Sequence, residues 1–185
     1  GDQYAALYSE TLTVELENEF LPFLYPNQYV NFSPDSEASK LALSMVSENT
    51  SDTDALKQIY NYVVNNLSYD YDKAETVETG YLPDVDETLS TKTGICFDYA
   101  ALTTAMLRSC DIPCKLQIGY TGDIKHAWID VYIRSKGWVT NAVSFNGDSW
   151  SLMDPTFDSS ADSDDSEAIQ DYIGNADNYT VQFTR

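Results

Sequence analysis

Histidine occurs once in this chain, at His126, and cysteine three times, at Cys96, Cys110 and Cys114. Cys110 and Cys114 have three residues between them rather than the two of a redox or zinc pair, and no second ligand pair exists, so neither motif is present. Basic residues are equally scarce: ten Lys and Arg stand against thirty Asp and Glu, for a formal charge of -20. Such a field repels phosphate backbones, so no nucleic-acid partner is expected. From Gly137 to Thr184 there is no Lys or Arg at all. The acidic run from Asp158 to Glu167 reads as a solvated loop, and without the glycine and ligand spacing of an EF-hand it implies no metal. Nothing approaches the roughly 18 apolar residues of a membrane span, so no transmembrane segment is expected, and there is no signal-peptide pattern.

What is present is enough for one core. At 185 residues and 43% hydrophobic, the chain reads as a single domain, 1-185. Its N-terminal extension covers 1-35 and its acidic C-terminal segment covers 158-185. Thr11 to Leu16 alternates like a short strand, with Leu12, Val14 and Leu16 on one face. Ser33-Pro34 predicts the cap and first turn of a helix whose stripe is Ala38, Leu41, Ala42, Met45 and Val46. A second helix is expected from Asp52 to Asn66, turning Leu56, Ile59, Tyr60 and Val63 inward. The polar stretch from Lys73 to Thr91 reads as a loop. Further on, Cys114 to Tyr120, Ala127 to Arg134, Gly137 to Val143 and Ser149 to Met153 predict an antiparallel sheet, with Asn146-Gly147 as a two-residue turn. Helices precede strands, so the class is α+β.

Three side chains carry the chemistry. Cys96 opens a helix pattern of small residues, preceded by Gly94, so its sulfur is expected in the first turn, among unpaired N-H groups. A free thiol is only about 3% ionised at neutral pH, and a helix start or a neighbouring imidazolium is expected to lower its pKa. The same N-H groups could bind an oxyanion. His126 is the one candidate base, on a strand where Ala127, Ile129, Val131 and Ile133 share one face and His126, Trp128, Asp130 and Tyr132 the other. Asp154, stopped from continuing its strand by Pro155, is placed to orient the imidazole. Cys110 and Cys114 either bridge across a strained turn or pack separately between helix and strand.

These segments resemble a known family. Gly94-Ile95-Cys96-Phe97-Asp98-Tyr99-Ala100, with its helix ending in Leu107-Arg108 and Ile112-Pro113, His126-Ala127-Trp128, and Asp154-Pro155-Thr156 together look like the transglutaminase-like superfamily core, over about 52-157. The resemblance implies a papain-like fold, with N-terminal helices and a catalytic cysteine at a helix start packed on an antiparallel sheet. It also implies Cys96 as nucleophile, His126 as base and Asp154 as orienter, with no cofactor. The Tyr69-Asp70 step resembles the family's step after the preceding helix. Tyr69 is a candidate second oxyanion donor and Trp128 a candidate wall of the substrate cleft. Two departures are visible: Asp111 stands where the family usually has glycine, and the connection from Trp138 to Trp150 is long.

The function expected is a thiol-dependent acyl-transfer enzyme, a cysteine peptidase or amidase acting on a peptide or protein. The alternatives are a protein-glutamine transglutaminase and a noncatalytic surface domain binding a protein or glycan through the same cleft. The acidic, tyrosine-rich composition together with the resemblance suggests a secreted or cell-surface bacterial protein. The start at Gly1 is what removal of a leader would leave.

Overall fold

The computed structural model describes residues 8-145, 150-152 and 179-185. Five helices are found among them: α1 (Glu37–Met45), α2 (Asp52–Asn66), α3 (Tyr71–Thr76), α4 (Val85–Thr91) and α5 (Cys96–Ser109). The strands are β1 (Ser68–Tyr69), β2 (Thr93–Gly94), β3 (Cys114–Thr121), β4 (Ile124–Ile133), β5 (Gly137–Phe145), β6 (Trp150–Leu152) and β7 (Tyr179–Thr184). The helices pack on one antiparallel sheet of order β6-β5-β4-β3-β7, which is the α+β arrangement expected.

α5 is the hub. Small side chains at Ala100, Ala101, Thr104 and Ala105 let it be buried on every side, with α1, α2 and α4 against it on one flank and β3 and β4 on the other. α2 forms where the pattern places it: Ser51 accepts from the Asp54 N-H at its start, and Leu56, Ile59 and Val63 go into the core. α1 begins at Glu37 with Ser36 as N-cap, three residues later than Pro34 suggests, because 34-36 form a turn first.

The stretch 73-91 is not a continuous loop. α3 starts where Asp70 accepts from the Lys73 N-H, and α4 where Asp84 accepts from the N-H groups of Asp86 and Glu87. Aspartates at both caps substitute for long apolar stripes, so short polar helices form where periodicity is faint. Thr11 to Leu16 is likewise not a strand; it has no regular structure, and Leu12 is 74% exposed. Alternation without a neighbouring strand to pair with does not make a strand. The N-terminal extension attaches further along, through a 3-10 turn at Leu21–Phe23. There Phe20 and Phe23 pack on Tyr132 and Trp138, and the Lys115 ammonium sits 3.8 Å over the Trp138 ring.

Both departures from the family pattern have structural solutions. Asp111 takes φ 59°, a left-handed turn that aspartate tolerates. The long connection after Trp138 is a longer hairpin: β5 runs to Phe145 and pairs back with β6 through Phe145 and Trp150. Asn146-Gly147 itself, Asp154 and the acidic run 158-167 lie outside the described residues. The C-terminal segment supplies an element absent from the expectation, since β7 pairs antiparallel with β3.

That pairing needs Gly119. A Cβ there would lie 1.9 Å from the Thr180 carbonyl oxygen and 3.0 Å from the Trp128 ring, and Gly119 is the cross-strand partner of His126. Gly119→Ala is therefore expected to displace β7 and destabilise the protein by about 2 kcal/mol or more. A urea midpoint unchanged from wild type would refute it.

Candidate active site

Cys96 is the first residue of α5. The two-residue parallel pair of β1 and β2, with Tyr69 opposite Gly94, brings Tyr69 beside the turn that precedes it. From the sheet side comes β4: the Ala127 N-H points at the Cys96 sulfur, as do the N-H groups of Phe97 and of Cys96 itself. Helix start and histidine strand therefore meet at the thiol. Tyr69 meets it too, because the Cys96 backbone N-H donates to the phenol oxygen.

Ionisation departs from the sequence expectation. Burial pushes the Cys96 thiol up, with the Asp98 carboxylate adding to the rise, against the lowering by the three N-H groups. The helix start is present but desolvation outweighs it, so the thiol is not shifted down. Burial also holds the His126 imidazole down at about 4, and the residue is 8% exposed. Each group taken by itself thus favours its neutral form. Burial pushes the Tyr69 phenol up to about 12, with the Cys96 thiol contributing and the Cys96 N-H opposing, so the phenol keeps its proton at neutral pH.

The imidazole has a stability consequence whose sign is fixed. In the unfolded chain it takes a proton near pH 6.5, in the folded chain only near 4. Stability from the buried neutral ring is complete above pH 6.5 and is lost as pH falls towards 4, by roughly 2 to 3 kcal/mol. Comparing urea unfolding of wild type and His126→Gln at pH 7.5 and 4.5 isolates this from the carboxylates. Equal losses in the two proteins would show that His126 is not responsible.

Trp128 is 1% exposed. Its ring lies near-parallel to His126, with centroids 6.2 Å apart, and tilts against Tyr179 at 5.1 Å. It therefore lies behind the imidazole. Cys110 and Cys114 are free thiols, pushed up by burial to about 11 and about 12, which answers the disulfide alternative in favour of separate packing. The described residues hold no group of three or more His, Cys, Asp or Glu suited to a metal. A groove of about 560 Å³ lined by Leu16, Leu21, Pro22, Tyr25 and Arg185 among others contains neither Cys96 nor His126 and belongs to the N-terminal strap.

Sequence reasoning missed the support of the turn that carries Cys96. Asp98 is 0% exposed and accepts from the Ile95 N-H at 2.8 Å, from Lys73 Nζ at 2.8 Å and from the Tyr81 hydroxyl. Gly94 makes room for it, since a Cβ there would lie 2.6 Å from the Asp98 Cβ. The Gly-x-Cys-x-Asp spacing is the visible trace of this packing.

A thiol at the start of a buried helix, met by a histidine-bearing strand of an antiparallel sheet, is the arrangement of papain-like thiol proteins. The chain belongs to the transglutaminase-like superfamily, whose sequence model matches residues 39-155. It is 40% identical over 62 residues, 31% of its length, to UPF0252 protein MJ1282 of Methanocaldococcus jannaschii, of which it covers 18%. It is 25% identical over 154 residues, 71% of its length, to the uncharacterized protein YebA of Bacillus subtilis, of which it covers 21%. The chain thus spans about a fifth of the length of these curated relatives. A crystal structure of a protein from Cytophaga hutchinsonii, provisionally assigned as a cysteine protease, shares the fold with TM-score 0.54 and 24% identity, over 71% of this chain and 43% of that one.

Proposed function

We propose that this chain is a thiol-dependent acyl-transfer enzyme, a cysteine peptidase or amidase acting on a peptide or protein. The observation that carries the reading is the convergence of the Cys96 sulfur with the β4 backbone at Ala127, the residue next to His126. In this reading His126 takes the proton from Cys96 as the sulfur attacks the carbonyl carbon. The neutral pair becomes an ion pair only as the bond forms, which suits a site where burial penalises isolated charges. Asp154 orients the imidazole, the first turn of α5 supplies N-H donors to the oxyanion with Tyr69 as candidate second donor, and the proton returns to the leaving amine. Trp128 borders the site from behind the imidazole. Water then resolves the acyl-enzyme; no cofactor enters.

Amine transfer by a transglutaminase requires a sheltered acceptor path that keeps water from the thioester, a demand hydrolysis does not make. Hydrolysis is favoured on that ground. Incubating the protein with a peptide library, and separately with a glutamine peptide and a labelled primary amine, should give cleavage without amine incorporation. Incorporation without cleavage would replace this reading with a transglutaminase, and silence in both assays would leave the noncatalytic surface-binding domain. The location proposed is the exterior or surface of a bacterial cell; the excess of thirty acidic over ten basic residues supports it. Among the described residues no helix is long and apolar enough to cross a membrane.

A further inference from the structure

The turn that carries Cys96 is held by a charged group that works against it. Asp98, third residue of α5, reaches back to accept from the Ile95 N-H that precedes the helix, a capping-box role that a neutral Gln also fills. A carboxylate two residues from the nucleophile, removed from solvent, disfavours a second negative charge on sulfur. Lys73 stands where this cost can be offset. Its ammonium reaches Asp98 at 2.8 Å, with 31% of the side chain exposed. It also donates to the Tyr81 hydroxyl at 2.7 Å and lies 4.4 Å from that ring's centre, while its backbone N-H is fixed by Asp70. Exposed ion pairs contribute little, but here one partner is fully enclosed and the other is tethered at both ends.

We infer that Lys73 is a positioning residue for Cys96, acting through Asp98: it neutralises the buried carboxylate that holds the nucleophile turn, so that the turn is anchored without opposing the charge that develops on sulfur. Among the described residues, Asp98 from α5 and Tyr69 from β1 act on Cys96, and His126 stands on β4 next to Ala127, whose N-H meets the sulfur. Lys73 from α3 and Tyr81 from the segment before α4 stand behind Asp98. Of these, Lys73 is the one fixed cation. Its effect on turnover rests on the reading of Cys96 as nucleophile, whereas its effect on the thiol does not.

The test is the pH dependence of Cys96 alkylation by iodoacetamide in the full chain, followed by mass mapping against Cys110 and Cys114. Lys73→Met leaves the carboxylate uncompensated, and the curve should move to higher pH, with alkylation about tenfold slower at pH 8. Asp98→Asn keeps an acceptor for the Ile95 N-H but leaves the cation, and the curve should move to lower pH. The double variant should lie between them near wild type, and Lys73→Arg should retain most of the wild-type profile. General loosening of the turn would speed alkylation in both single variants. Shifts in one common direction, or none, would overturn the inference. If Asp98→Asn does not fold by circular dichroism, the contrast between Lys73→Met and Lys73→Arg decides alone, equal profiles refuting it. The opposed shifts would stand even if the protein cleaved no peptide, so the two proposals fail separately.

Discussion

Cys96→Ala is expected to abolish acyl-enzyme formation and to lower turnover by about 10⁶-fold, the loss seen when a nucleophile that works as a unit with its base is removed. The side chain makes no hydrogen bond on which the fold depends, and alanine suits a helix first turn, so circular dichroism and the urea midpoint should change little. Asp154→Asn should keep the fold as well and cost about 10⁴-fold, because an amide favours the imidazole tautomer that cannot accept the thiol proton. A trapped thioester, observed as added mass on intact wild-type protein and missing from the alanine variant, is the direct readout. Undiminished turnover in Cys96→Ala would remove the thiol mechanism. Full activity in Asp154→Asn would transfer the orienting role to another group.

Arg108→Met is expected to give the largest loss of stability, about 3 to 5 kcal/mol. The guanidinium is 4% exposed and donates four hydrogen bonds to main-chain oxygens: two to Cys114, one to Tyr25 and one to Arg185. It therefore ties the last turn of α5 to the start of β3, to the N-terminal strap and to the residue following β7. Burial lowers its pKa, but from a value so high that it stays charged. Methionine fills much of the volume and supplies none of the donors. Urea unfolding measures the total, and hydrogen exchange should locate the first losses in β7 and around Tyr25. A variant within about 0.5 kcal/mol of wild type, in the range of ordinary surface substitutions, would show that the network is dispensable.

The contrast between Arg108 and Cys96 also explains what could be read in the sequence. Cys96, His126 and the alternation along β4 are local signals: a residue type, a helix start and a period of two. β4 places Ala127, Ile129, Val131 and Ile133 together in the core cluster, while the other face, with His126, Trp128 and Asp130, is buried as well. α2 was legible for the same reason. α3 and α4 were not, because each depends on a single capping aspartate rather than a stripe. β7 was hidden behind an acidic run, and its partner lies some sixty residues earlier, at β3. Around the thiol, the helix start at Cys96 and the strand bearing His126 were legible and the ionisation of the two groups was not. Burial, which raises Cys96 and lowers His126, comes from the whole assembly, while the helix start that argued for a lowered thiol is visible in a few letters. The reach from Lys73 to Asp98 spans 25 positions and leaves no periodic trace.

The anchoring of Arg108 also imposes a timetable on biosynthesis. Its partner oxygen at Arg185 is made 77 residues later, which at ribosomal speeds is an interval of about 4 to 15 s. Through that interval the nascent helix has its cationic end hydrated, and β3 has no β7 along its edge. Cys96 is translated well before this anchor exists, so the packing that rigidifies its helix is completed only once Arg185 has emerged from the ribosome, late and in one step rather than growing with the chain.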